Sequence, residues 1–166
     1  MSADTAFNCT LQPAADIAVT EFGIIGIGNT LMGDDGAGII AMEKLRAFPA
    51  LHKKSFFHAL CNDLFEMAEL IDRAKRFIFI DAYIGSPAGV ITVFSRHRIV
   101  PMPSLHQTDI GTVMRMLEPL DLCDPFPDWE IRGIAVEPPL HLGEGLCAPV
   151  ARAVDRLVED IRRFVT

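Results

Sequence analysis

Apolar positions along this chain alternate between two kinds of run. Phe22-Gly-Ile-Ile-Gly-Ile27 is a short apolar stretch that ends in Gly28-Asn29, which predicts a buried strand running into a tight turn. After Asp34-Asp35-Gly36, residues Ile39, Ile40, Met42 and Leu45 recur at near-helical spacing, and Pro49 stops that pattern. Ser55 to Cys61 reads as a second strand. Asp63 is then placed to cap a helix with Leu64, Met67, Ala68 and Ile71 on one face. Arg76-Phe-Ile-Phe-Ile-Asp81 is apolar on both faces, which predicts a central strand ending at Asp81.

Val90 to Ser95 predicts a fourth strand. The turn residues Gly85 to Gly89 are too few to hold a crossover helix, so this strand is expected at an edge and antiparallel. Ser104 is placed to cap a helix with Leu105, Ile110, Val113, Met114 and Leu117 inward, ended by Pro119. Trp129 to Val136 alternates as a fifth strand, and Pro149 to Val165 as a final amphipathic helix. Strands alternating with helices imply a three-layer α/β sandwich around a mostly parallel five-stranded sheet with one antiparallel edge strand. Residues 21–166 form one domain on this reading, and residues 1–20 a poorly ordered leader.

Composition narrows the chemistry. Fifteen Lys and Arg against 22 Asp and Glu leave a net charge of −7, which disfavours nucleic acid as a partner. No apolar stretch approaches the ~18 residues of a membrane span, and the start of the chain lacks the marks of a secretory signal, so a cytoplasmic location is expected. Cys9, Cys61, Cys123 and Cys147 form no Cys-x-x-Cys pair, which disfavours a structural zinc site and a redox motif.

The glycine-rich turn from Gly26 to Gly38 lacks the Gly-x-Gly-x-x-Gly of a dinucleotide fingerprint, because position 31 is Leu. Asp34 and Asp35 at the helix start suit its dipole but would repel phosphate. One of them is expected to cap the helix. A pair of carboxylates exceeds what a cap requires, and favours a metal or a cationic ligand. In open α/β sheets, ligands bind outside the carboxyl ends of the strands. That rule gathers the turn from Gly28 to Gly36, Asp81, and the loop before the Ser104 helix with His106 at one edge. Two carboxylates and an imidazole with open positions suit a borderline divalent ion such as zinc or nickel.

These motifs, in this order, resemble those of a known family. Gly26-Ile-Gly28-Asn29-Thr-Leu-Met-Gly33-Asp34-Asp35-Gly36-Ala-Gly38, Phe79-Ile-Asp81-Ala82 before Gly85, Pro103-Ser-Leu-His106-Gln107, and Gly133-Ile-Ala-Val-Glu137-Pro138 before Gly145-Leu resemble the motif blocks of the [NiFe]-hydrogenase maturation endopeptidases. The resemblance implies an enzyme that removes the C-terminal extension of a hydrogenase large-subunit precursor after nickel insertion. It implies nickel carried by the substrate and no organic cofactor. It further implies Asp35, Asp81 and His106 as the metal-contacting set, with Asp35 or Asp81 available as general base. A monomer is the favoured state. Two alternatives stay open: a non-catalytic nickel-binding assembly chaperone, and a peptidyl-tRNA hydrolase-like esterase, whose need for a basic surface conflicts with the net charge. The loop from Glu137 to Gly145 adds His141 and Glu144 near the same edge, read as ordinary loop residues.

Overall fold

The computed structural model of the protein describes residues 18–61, 63–97, 109–138 and 142–166. Five strands form one sheet: β1 (Thr20–Ile27), β2 (Ser55–Leu60), β3 (Ala74–Ile84), β4 (Ile91–Ser95) and β5 (Asp128–Val136). Their order across the sheet is β2-β1-β3-β5-β4. β1, β2, β3 and β5 are parallel, and β4 runs antiparallel to β5 at the edge. The expected architecture holds, including the antiparallel edge strand. β3 lies between β1 and β5, and Phe77, Ile78, Phe79 and Ile80 are fully buried, so its two apolar faces meet a layer on each side.

Those layers are two separate apolar cores. Helices α1 (Ala37–Arg46) and α3 (Ala148–Val165) cover one face, where Ile24, Met42, Leu45, Ile78, Ile80, Val154 and Leu157 pack together. Helix α2 (Ile110–Leu117) and a 3-10 helix at Leu64–Glu69 cover the other, against Ile25, Ile27, Phe77, Phe79, Trp129 and Ile131.

Three local expectations are corrected. The segment after Asp63 is a 3-10 helix rather than an α-helix, although Asp63 caps it as expected, its carboxylate accepting from the Phe65 N–H at 2.9 Å. Leu64, Met67 and Leu70 recur every third residue, the period of a 3-10 turn, and Met67 and Leu70 are the buried ones. Helix α2 is capped by Asp109, which accepts from the Thr112 N–H at 2.9 Å and from the Thr112 hydroxyl at 2.7 Å. Ser104, the expected cap, lies outside the described residues. Asp81 does not end its strand: β3 continues to Ile84, because β5 pairs with it as far as Val136.

Candidate active site

The strand order reverses direction between β1 and β3. The chain leaves β1 for β2 on one side and returns to β3 on the other, which opens a crevice at the carboxyl ends of β1 and β3. Two of the three expected site residues lie at that crevice. Asp35 sits in the 3-10 helix Gly33–Gly36 that follows β1 and packs against β3, and Asp81 sits in β3 itself. The third, His106, lies outside the described residues, as does His141. Among the described residues no group of three His, Cys, Asp or Glu side chains is placed to hold a metal ion.

Close backbone packing holds the turn and the start of α1 against β1 and β3. Helix α1 starts directly over the two strands: a Cβ on Gly38 would lie 2.2 Å from the Ile80 carbonyl oxygen and 2.4 Å from that of Ile27. Gly28 holds a positive φ of 133°, and a Cβ there would lie 2.0 Å from the Asp35 carbonyl oxygen. Only glycine fits at either point, so the turn lies pressed down on the sheet.

The expectation that Asp34 or Asp35 caps the helix is corrected. Gly36 is the N-cap of α1 and makes no side-chain capping bond. Each carboxylate is instead bonded outside its own helix. Asp35 is 5% exposed, and its Oδ2 accepts from the Asn29 N–H at 2.8 Å, which closes the glycine-rich turn on itself. Asn29 stiffens the same turn, its Oδ1 accepting from the Leu31 N–H at 3.0 Å. Asp81 is fully buried. Asp35 thus keeps a small opening to solvent beside the N-terminus of α1, where the helix dipole favours a negative charge.

Asp34 accepts from the Cys147 N–H at 2.7 Å, at the start of α3. Together with the Gly143 N–H to Leu31 carbonyl bond at 2.9 Å and the Gly33 N–H to Gly143 carbonyl bond at 2.8 Å, it ties the last loop to the first turn. Sequence reading treated that loop as ordinary. The other end of the loop is also held, since Glu137 accepts from the Ser86 hydroxyl at 2.7 Å and the Ala88 N–H at 3.2 Å. No sequence signal pointed to these tethers, because they join residues far apart in the chain. Removing one should be measurable. Asp34→Ala should cost about 1 kcal/mol, the usual net worth of such a bond, and speed hydrogen exchange over residues 142–147, with Asp34→Asn recovering most of both.

Cys61, Cys123 and Cys147 are free thiols. Partial desolvation, followed by the hydrogen bond with Asp34, pushes the Cys147 thiol up, which keeps it protonated at neutral pH. Burial, then the charges of Asp72 and Asp124, do the same to Cys123. That residue lines a cavity of about 500 Å³ with Val19, Ile71 and Phe126 at the amino ends of β1 and β3, on the far side of the sheet from Asp35.

The chain matches no protein-family model and no curated protein sequence. It is similar to several solved structures. The [NiFe] hydrogenase maturation protease HybD from Thermococcus kodakarensis superposes with a TM-score of 0.69 at 26% identity, over 89% of this chain and 100% of that one. The hydrogenase maturating endopeptidase HybD from E. coli gives 0.69 at 18% identity, over 86% of this chain and 90% of its own. HycI from Thermococcus kodakarensis KOD1, a [NiFe] hydrogenase maturation protease, gives 0.66 at 19% identity, over 90% and 95%. All three are peptide hydrolases that span nearly the whole of this chain. In fold, this chain is similar to the [NiFe] hydrogenase maturation proteases.

Proposed function

We propose that this protein is an endopeptidase that removes the C-terminal extension of a [NiFe]-hydrogenase large-subunit precursor once nickel has been inserted. The observation that carries this reading is the placement of Asp35 and Asp81 at the β1/β3 crevice, within a fold shared with maturation proteases. The nickel enters as part of the substrate. Asp35 and Asp81, with His106, would offer it two carboxylates and an imidazole, a donor set suited to a borderline divalent ion.

Such a site distinguishes a loaded precursor from an empty one only through a difference in binding free energy. A hundredfold preference needs about 2.7 kcal/mol, within reach of one anionic ligand contact to a cation. Asp35, the carboxylate with an opening to solvent, is the group placed to meet the substrate first. Asp81 is fully buried. An ionised carboxylate here can also take the proton of an attacking water, as general base. Among the described residues no helix is long and apolar enough to cross a membrane.

The test uses one precursor prepared with and without nickel. Incubation with the protein should release the C-terminal peptide, seen by mass spectrometry, from the loaded form only. Equal release from both would remove the nickel checkpoint. Release from neither would remove the peptidase reading and leave a chaperone in its place.

A further inference from the structure

The tether between the first turn and the last loop has a second consequence. Met32 and Gly143 form an isolated parallel bridge, so Leu31 and Leu142, one residue before each, are register neighbours. Both are exposed, Leu31 by 56% and Leu142 by 85%. Three backbone or carboxylate bonds, on Leu31, Gly33 and Asp34, hold this pair in place. Two adjacent leucines presented to solvent on a pinned scaffold are unlike singly scattered surface apolar residues, and mark an interaction surface.

The charge around the pair selects its occupant. The chain segments that follow the parallel strands at this end, 28–36, 61–69, 85–89 and 137–147, contain no Lys or Arg. They carry Asp34, Asp35, Asp63, Glu66, Glu69, Glu137 and Glu144. The segments that enter the strands at the opposite end mix signs, with Lys53, Lys54 and Arg73 beside Asp72, Asp121 and Asp124. Negative charge is therefore concentrated at the end of the strands where the leucines lie, with Arg156 bonded there to the Gly89 carbonyl at 3.0 Å. A predominantly negative rim of this kind attracts the opposite charge and repels its own.

The geometry points to the Leu31–Leu142 surface as the docking site for an extended, basic segment of a partner protein, with apolar side chains at alternate positions. In an extended chain every second side chain falls on one face, so one face meets the leucines while Lys or Arg from the other reach the acidic rim. Asp35 lies four residues beyond Leu31 in the same turn, so a segment docked here passes beside it. Resting on the function proposed above, that segment is the tail of the precursor next to the bond to be cut.

A fluorescent peptide of alternating Leu and Lys, titrated against the full chain by anisotropy, tests the surface without requiring cleavage. It should bind more weakly as salt is raised, and a Leu–Glu peptide should not bind. Leu31→Ser with Leu142→Ser should weaken binding by about a hundredfold, roughly tenfold for each buried leucine. Glu144→Lys should weaken it further than Glu21→Lys, which makes the same charge change on an exposed residue at the far end of β1. Equal binding of both peptides, or unchanged binding by the leucine variant, overturns the proposal. Peptide binding with a nickel-loaded precursor left intact would keep the surface and remove the peptidase reading. A cut precursor without peptide binding would do the reverse.

Discussion

Asp35→Asn should leave the protein folded and the nickel-loaded precursor uncut. Asn is nearly the same size as Asp and keeps a carbonyl oxygen that can accept from the Asn29 N–H, so the turn retains its closing bond. What disappears is the negative charge, and with it both the attraction for a cation and the capacity to take a proton. Loss of a general base alone costs about 10²–10⁴-fold in rate, and loss of an anionic ligand adds to that. Circular dichroism and a thermal melt would check the fold, and mass spectrometry of the released peptide the activity. Processing at the unaltered rate would take Asp35 out of the site. This is a cleaner probe than Asp81→Asn, because Asp81 is fully buried and its replacement tests packing and chemistry together.

Gly38→Ala should destabilise the protein by about 3 kcal/mol or more, although it is a glycine-to-alanine change inside a helix. Helix propensity alone favours alanine by about 1 kcal/mol. The added methyl, however, would sit 2.2 Å from the Ile80 carbonyl oxygen and 2.4 Å from that of Ile27. Both are backbone atoms of adjacent central strands, and neither can rotate away as a side chain would. Helix α1 must lift, which opens the core beneath Met42 and Leu45 and moves Asp35 away from β3. A fall in the melting midpoint of roughly 6–12 °C follows for a domain of this size. An unchanged midpoint would mean that helix and sheet are less closely packed than described.

The sheet was legible in the sequence because its signals are local. Apolar runs bounded by turn residues placed all five strands to within about three residues of their ends, and the short 85–89 link marked β4 as antiparallel. What escaped local reading was set by partners distant in the chain. β3 runs past Asp81 because β5 is there to pair with it. Asp34 and Asp35 looked like caps, yet one bonds to Cys147 and the other to Asn29, and no propensity scale contains those contacts. Asp109 outcompetes the expected start of α2 because Thr112 offers it both an amide and a hydroxyl. The candidate site was legible as residue types at strand ends. The bonds that hold it in shape were not.

The sheet order carries a further consequence for how the chain is made. β4 is synthesised before β5 but pairs only with β5, which lies between it and β3. On an elongating ribosome, residues 91–95 therefore emerge with no strand to join. Meanwhile β3 presents an unpaired edge along Phe77-Ile-Phe-Ile80 until residues 128–136 arrive. An open apolar edge of that kind invites pairing with other chains. The nascent protein is thus most prone to aggregate just before its fifth strand is translated, and a stop codon ahead of Asp128 should yield inclusion bodies rather than a soluble fragment.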